Sequence, residues 1–187
     1  YTVFQLPVES PSHGTISTAV DPADTLSSPY GWHDTDGIVG PEYTITRGNN
    51  VFAYEDGDDD DLPGFSPDGG PALTFNFPYN SSSAPATYQS AAITNLFYMN
   101  NMIHDIWYQH GFDEEGGNFQ VNNYGNGGLG ADEVLAEAQD GGGTNNANFA
   151  TPPDGSNPRM QMYLWSQAQQ AGSFLEINDP AGIAGPY

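Results

Sequence analysis

The stretch from 88 to 110, Tyr-Gln-Ser-Ala-Ala-Ile-Thr-Asn-Leu-Phe-Tyr-Met-Asn-Asn-Met-Ile-His-Asp-Ile-Trp-Tyr-Gln-His, decides the fold class. Ala92, Leu96, Met99, Ile103, Ile106, Trp107 and His110 recur at steps of three and four, the spacing that lines up side chains on one face of a helix. No Gly or Pro interrupts the run until Gly111 closes it. The pattern predicts one long central helix over about 88–110, against which a sheet packs. Upstream, Leu73, Phe75 and Phe77 alternate with Thr74 and Asn76, the period of a half-buried strand over 72–79. Residues 1–8 read as a short extended strand punctuated by Pro7 and Pro11, and 9–42 as an ordered, loop-rich wrap. Tyr43 to Tyr54 reads as two short strands about the turn Arg47-Gly48-Asn49-Asn50. Downstream, 118–124 and 132–139 alternate as strands across a Gly-rich turn. Residues 145–150 and 159–165 flank Pro152-Pro153-Asp154-Gly155, a strong turn signal. The expected fold class is α+β, an antiparallel β-sheet with one long central helix.

Composition narrows what such a fold can do. The 187 residues carry 24 Asp+Glu against 2 Lys+Arg, a formal net charge of −22, with four His and no Cys. Nucleic acid is excluded as a partner because a polyphosphate needs a basic footprint, and Arg47 and Arg159 are the only such cations. An anionic membrane surface would repel the chain, and it has no run of about 18 apolar residues. Without Cys there is no disulfide, thiolate metal site or cysteine nucleophile. With so few cations, both arginines are expected to be partly buried, ion-paired structural residues.

Most chemical motifs fail on spacing. A zinc-hydrolase helix needs two imidazoles four residues apart with a Glu beside the first, whereas His104 and His110 are six apart and point roughly 120° from each other on a helix. His104-Asp105 reads either as an oriented acid–base pair or as a structural hydrogen bond. No Gly-x-Ser-x-Gly elbow occurs, and Asn80-Ser81-Ser82 is a lone glycosylation sequon. Asp56, Asp58 and Asp60 sit at alternate positions, as at the start of an EF-hand loop, but Pro67 stands where a bidentate Glu should be. The EF-hand fails, and a looser calcium site at Asp56, Asp58 and Asp60 is left beside a plain solvated loop. Thr144-Asn145-Asn146-Ala147-Asn148-Phe149 is an extended, amide-rich stretch suited to an exposed edge strand that pairs with a peptide.

Longer stretches are more specific. Ala92-Ile-Thr-Asn-Leu-Phe-Tyr-Met-Asn-Asn-Met-Ile-His-Asp105, Gly111-Phe-Asp-Glu-Glu-Gly-Gly-Asn-Phe-Gln120, Gly127-Gly-Leu-Gly-Ala-Asp132, Asn145-Asn-Ala-Asn-Phe-Ala-Thr-Pro-Pro-Asp-Gly155 and Arg159-Met-Gln-Met-Tyr163 together resemble the fungalysin family of secreted zinc metalloendopeptidases. Thr46-Arg-Gly-Asn-Asn50 and Leu6-Pro-Val-Glu-Ser-Pro11 follow the same pattern. The resemblance implies the N-terminal part of a thermolysin-like catalytic unit, secreted as a zymogen whose propeptide is removed near Tyr1. It also implies that the His-Glu-x-x-His motif comes after the segment equivalent to 159–165, so no zinc ligand can be transferred to this chain. Zn2+ would then sit in a C-terminal, zinc-bearing half, the expected partner, and the isolated chain would be inactive. In thermolysin-like enzymes an Asn-Asn-Ala edge strand hydrogen-bonds the bound peptide, and Asn145, Asn146, Ala147 and Asn148 match it. By the same resemblance 1–172 is an N-terminal subdomain, while 173–187 is the start of an inserted protease-associated domain or a tail. The expected function is the substrate-cleft wall of a secreted protease acting on peptide or protein substrates. The alternative is a non-catalytic, acidic, calcium-stabilised extracellular module that keeps this fold without the active half.

Overall fold

A computed structural model gives the fold and describes residues 1–8 and 11–166; the expected boundary at 173 lies outside them. Strands β1 (Thr2–Val3) and β2 (Ser17–Thr18) pair antiparallel. Strand β3 (Val51–Glu55) is followed by a 3-10 turn at Pro85–Tyr88, helix α1 (Gln89–Tyr108), and strands β4 (Val134–Thr144), β5 (Ala147–Ala150) and β6 (Arg159–Leu164). The last four strands form one sheet in the order β3-β4-β6-β5.

One long helix over a small sheet is the α+β architecture expected, and the sheet is mixed. β5 runs antiparallel to β6, whereas β3 with β4 and β4 with β6 are parallel. Parallel neighbours cannot be joined by a tight turn and need a long crossover, usually a helix. Here α1 lies in the connection from β3 to β4, and the chain reaches β6 from β4 through the edge strand β5.

The helix lies where its period put it, but another face is buried. Ile93, Phe97, Tyr98, Asn101, His104 and Asp105 are buried, while Ile103, Ile106 and Trp107 are 48%, 42% and 56% exposed. Ala92, Leu96 and Met99 are intermediate. The helix has apolar residues on more than one side, so hydropathy alone did not choose the face. The choice follows from Val51, Ala53, Val134, Ala136 and Ala138 of the sheet, which pack against Ile93, Phe97 and Tyr98. Each large apolar side chain buried there contributes about 1.5–3 kcal/mol.

Three expected strands are absent as ladders. Across 72–79 the burial alternates, with Phe75 buried and Leu73 and Phe77 half-buried. Yet Leu73 has φ 49°, and Phe75 meets the β1 strand only through its carbonyl, which accepts from Thr2 N at 2.8 Å. Across 118–124 the segment is a loop in which Asn118 and Gln120 are fully buried, with Gln120 N donating to Asp132 Oδ1 at 2.9 Å and Gln120 Nε2 to the Asn122 carbonyl at 3.2 Å. Of the two short strands expected over 43–54 only the second forms a ladder, as β3; ahead of it stand two isolated bridges, Ile45 to Asp68 and Arg47 to Phe52. Gly48 is required there: a Cβ at this position would lie 1.7 Å from the Trp32 carbonyl oxygen.

The loop-rich wrap is ordered by two polar anchors. Tyr1, Phe75 and His33 stack nearly parallel, with Tyr1–Phe75 and His33–Phe75 centroids 5.2 and 5.4 Å apart. His33 Nδ1 donates to the Arg47 carbonyl at 2.9 Å, and Tyr1 Oη donates to His33 Nε2 at 2.7 Å. Burial holds the His33 imidazole down at about 4, so it is neutral at physiological pH. The second anchor is Asp105 of α1, which accepts from Ser28 Oγ, Trp32 Nε1 and Asp24 N at 2.7, 2.8 and 2.9 Å.

Candidate functional site

Strand β5 is the exposed edge that the amide-rich stretch suggested. Among the described residues it bonds only to β6, with Ala147 opposite Met162 and Ala150 opposite Arg159, and all four of its residues are exposed. Its approach from β4 turns at Asn145, whose φ is 57° and whose N–H donates to the Leu164 carbonyl at 2.9 Å. Its exit is fixed by the Pro-Pro-Asp-Gly turn, where Gly155 N donates to the buried Asp132 carboxylate at 3.0 Å and Asp154 accepts from Leu129 N at 3.0 Å.

The four sequence-derived residues divide by what their side chains already do. Asn148 Nδ2 donates to Gln161 Oε1 at 2.8 Å and lies 2.7 Å from Tyr163 Oη, and Gln161 in turn donates to Asp140. Asn145 Oδ1 accepts from Ser166 N and Oγ at 2.8 and 3.1 Å. The Asn146 side chain has no hydrogen-bond partner among the described residues; its carbonyl accepts from Tyr163 N at 3.3 Å. Ala147 offers backbone only. Beside this edge, Phe149, Ile103, Trp107, Phe112, Phe119 and Met160 line a largely apolar groove, rimmed by Asn50, Asn100 and His104.

His104 Nδ1 donates to Asp105 Oδ1 at 3.0 Å and its Nε2 faces Asn118 Nδ2 at 3.3 Å, so both ring nitrogens are spent on packing the helix. His110 is exposed beyond the helix end. Among the described residues, the groups able to share an ion are made of carboxylates alone. That donor set, with no imidazole or thiolate, suits a hard cation and does not fit zinc.

Three carboxylate groups exist, each with oxygens within 4.8 Å of one another: Asp56, Asp58 and Asp60; Asp56, Asp61 and Glu137; and Asp34, Asp36 and Glu42. The structure thus brings the sequence-derived acidic trio together, although Asp56 already accepts from Asp60 N and Asp61 N at 3.2 Å each. The second group already holds one cation, since Arg159 pairs with Asp61 and lies 3.8 Å from the fully buried Glu137. Burial pushes the Glu137 carboxyl up to about 7. Arg47 pairs with Glu133 at 3.4 Å and lies over the Tyr43 and Phe52 rings, so both arginines are the half-buried anchors their scarcity suggested. The Asp34 group escaped the sequence reading, although Asp34-Thr-Asp36-Gly37 shows the same alternation that drew attention to Asp56.

The comparisons with known proteins agree with the motifs. The model of the fungalysin metallopeptidase (M36) family matches residues 1–176. The chain is 46% identical over 173 residues to extracellular metalloproteinase 5 of Trichophyton tonsurans, covering 91% of this chain and 28% of that protein. It is 47% identical over 173 residues to a probable extracellular metalloproteinase 2 of Arthroderma benhamiae, covering 90% of this chain and 27% of that one. It therefore spans just over a quarter of the length of the curated relatives it matches. With the family pattern running through helix, edge strand and turn alike, this chain belongs to the fungalysin metallopeptidase family, as part of its N-terminal region.

Proposed function

We propose that this chain forms the substrate-side wall of the cleft in a secreted zinc metalloendopeptidase, with zinc and its ligands supplied by the rest of the longer protein. The observation that carries this reading is the β5 edge: among the described residues, a strand bonded on one side only, exposed and bordered by an apolar groove. An extended peptide adds to such an edge through main-chain hydrogen bonds, with neighbouring pockets taking alternate side chains. Asn146 and Ala147 meet the peptide directly. Asn148 and Asn145 hold the strand in place through Gln161, Tyr163 and Ser166. The groove beside Phe149 takes an apolar side chain of the substrate.

Zinc bound by residues of the remainder would supply the Lewis-acid chemistry of peptide hydrolysis. The residues of this chain bind and orient, and none of them moves a proton. Isolated, the chain is inactive. The name that its relatives carry, extracellular metalloproteinase, supports a place outside the cell.

The test uses the complete protease. Asn146→Ala removes one substrate hydrogen bond, of about 1–1.5 kcal/mol, and should lower kcat/KM on a peptide about tenfold with no change in melting temperature. An unchanged kcat/KM would remove β5 from the cleft.

A further inference from the structure

We propose that Asp34, Asp36 and Glu42 form a calcium site that locks the loop 34–42 onto the segment 122–124. The three carboxylates each lend an oxygen to a group spanning no more than 4.8 Å. Asp34 is 1% exposed, and its Oδ2 is buried without a hydrogen-bond partner while Oδ1 accepts from Gly37 N at 2.8 Å and Tyr124 Oη at 3.3 Å. A buried carboxylate oxygen left unpaired is costly unless a cation or a proton meets it, and burial raises the Asp34 carboxyl in the absence of an ion. No Lys or Arg can do so, because the chain has only two: Arg47 is paired with Glu133 and Arg159 with Asp61 and Glu137. This sets the group apart from Asp56, Asp61 and Glu137, where Arg159 already supplies the positive charge.

The donor chemistry selects the ion. Hard carboxylate oxygens on a surface loop, two of them on exposed side chains, suit calcium, which accepts six to eight oxygens in flexible geometry and fills the rest of its shell with carbonyls and water. The site also has something to hold. Asn122 Nδ2 donates to the Thr35 carbonyl at 3.2 Å, and Asn122 N donates to Asn49 Oδ1 at 2.8 Å. An ion on Asp34 therefore ties the wrap to the Gly48–Asn50 turn at the head of β3.

The experiment titrates the full 187-residue chain with Tb3+ and then Ca2+, exciting tyrosine, because Tyr124 touches Asp34 and can sensitise a bound lanthanide. The parent should show a saturable Tb3+ signal that Ca2+ displaces. A hundredfold excess of Ca2+ over Kd should raise the melting temperature by about 5–10 °C. The double variant Asp36→Asn with Glu42→Gln keeps the size of both exposed side chains and one acceptor oxygen on each while removing their charge, and should bind at least tenfold more weakly. Asp58→Asn with Asp60→Asn should leave the signal intact. The proposal is overturned if the parent shows no saturable binding, if the Asp36/Glu42 variant titrates like the parent, or if only the Asp58/Asp60 variant loses the signal. The last result would place the ion on the Asp56 loop.

Discussion

Replacing Asp105 probes how the helix holds the wrap. Its carboxylate is 3% exposed and receives Ser28 Oγ and His104 Nδ1 on Oδ1, and Trp32 Nε1 and Asp24 N on Oδ2. Three of those donors come from the segment 24–32, so this one side chain spans from α1 to the N-terminal loops. Asp105→Ala strands several buried donors at once, and breaking such a network costs about 3–5 kcal/mol. For a chain of this size that lowers the melting temperature by roughly 10 °C. Asp105→Asn separates charge from shape: the amide keeps one acceptor but turns an N–H₂ toward Trp32 and Asp24 or toward Ser28. Its cost should therefore approach that of the alanine variant. Urea unfolding followed by far-UV circular dichroism gives both values, and fluorescence reports Trp32, which is 2% exposed, against the exposed Trp107. If either variant unfolds within about 1 kcal/mol of the parent, a single buried hydrogen bond's worth, Asp105 is not the anchor.

Two buried groups set opposite pH dependences in calcium-free buffer. His33 is held down at about 4, so its contribution is present above pH 6.5 and lost as pH falls toward 4, by about 3 kcal/mol. Glu137 is raised to about 7, so its contribution is present below pH 4.5 and lost as pH rises toward 7, by a similar amount. From pH 4.5 to 6.5 the two slopes oppose each other, with the raised Asp34, Asp56 and Asp132 carboxyls acting on the same side as Glu137, so Glu137→Gln should tilt the profile toward a stability that falls as pH drops through that window. A variant whose slope equals the parent's would refute the raised Glu137. Gly48→Ala should yield no folded protein by near-UV circular dichroism, because its Cβ would collide with the Trp32 backbone; a native spectrum would contradict that close approach.

What the sequence disclosed, and what it withheld, follows from local and non-local physics. The helix was legible because its period is uninterrupted from Gln89 to Tyr108, and the β5–β6 hairpin because Pro152 to Gly155 can only turn. The buried helix face was not legible, since Ile93 and Phe97 differ from Ile103 and Ile106 only in what the sheet brings against them. Buried amides such as Asn101, Asn118 and Gln120 gave no hydropathy signal, because their burial depends on partners distant in sequence. The parallel pairing of β3 with β4 had a sign in retrospect: a long helix between two strands is the usual crossover of a parallel pair. The edge strand was found from its amides and matching motif, whereas Asp34, Asp36 and Glu42 converge only because the loop closes, with Glu42 N bonded to the His33 carbonyl at 3.2 Å.

The most direct measurement of a peptide-binding wall without chemistry of its own is an endopeptidase assay on three samples: the isolated chain, the complete protease, and the complete protease with Asn146→Ala. The expected result is no chelator-sensitive cleavage by the first, full chelator-sensitive activity in the second, and about tenfold lower kcat/KM in the third. Chelator-sensitive cleavage by the isolated chain, or an Asn146→Ala protease as active as its parent, would contradict it.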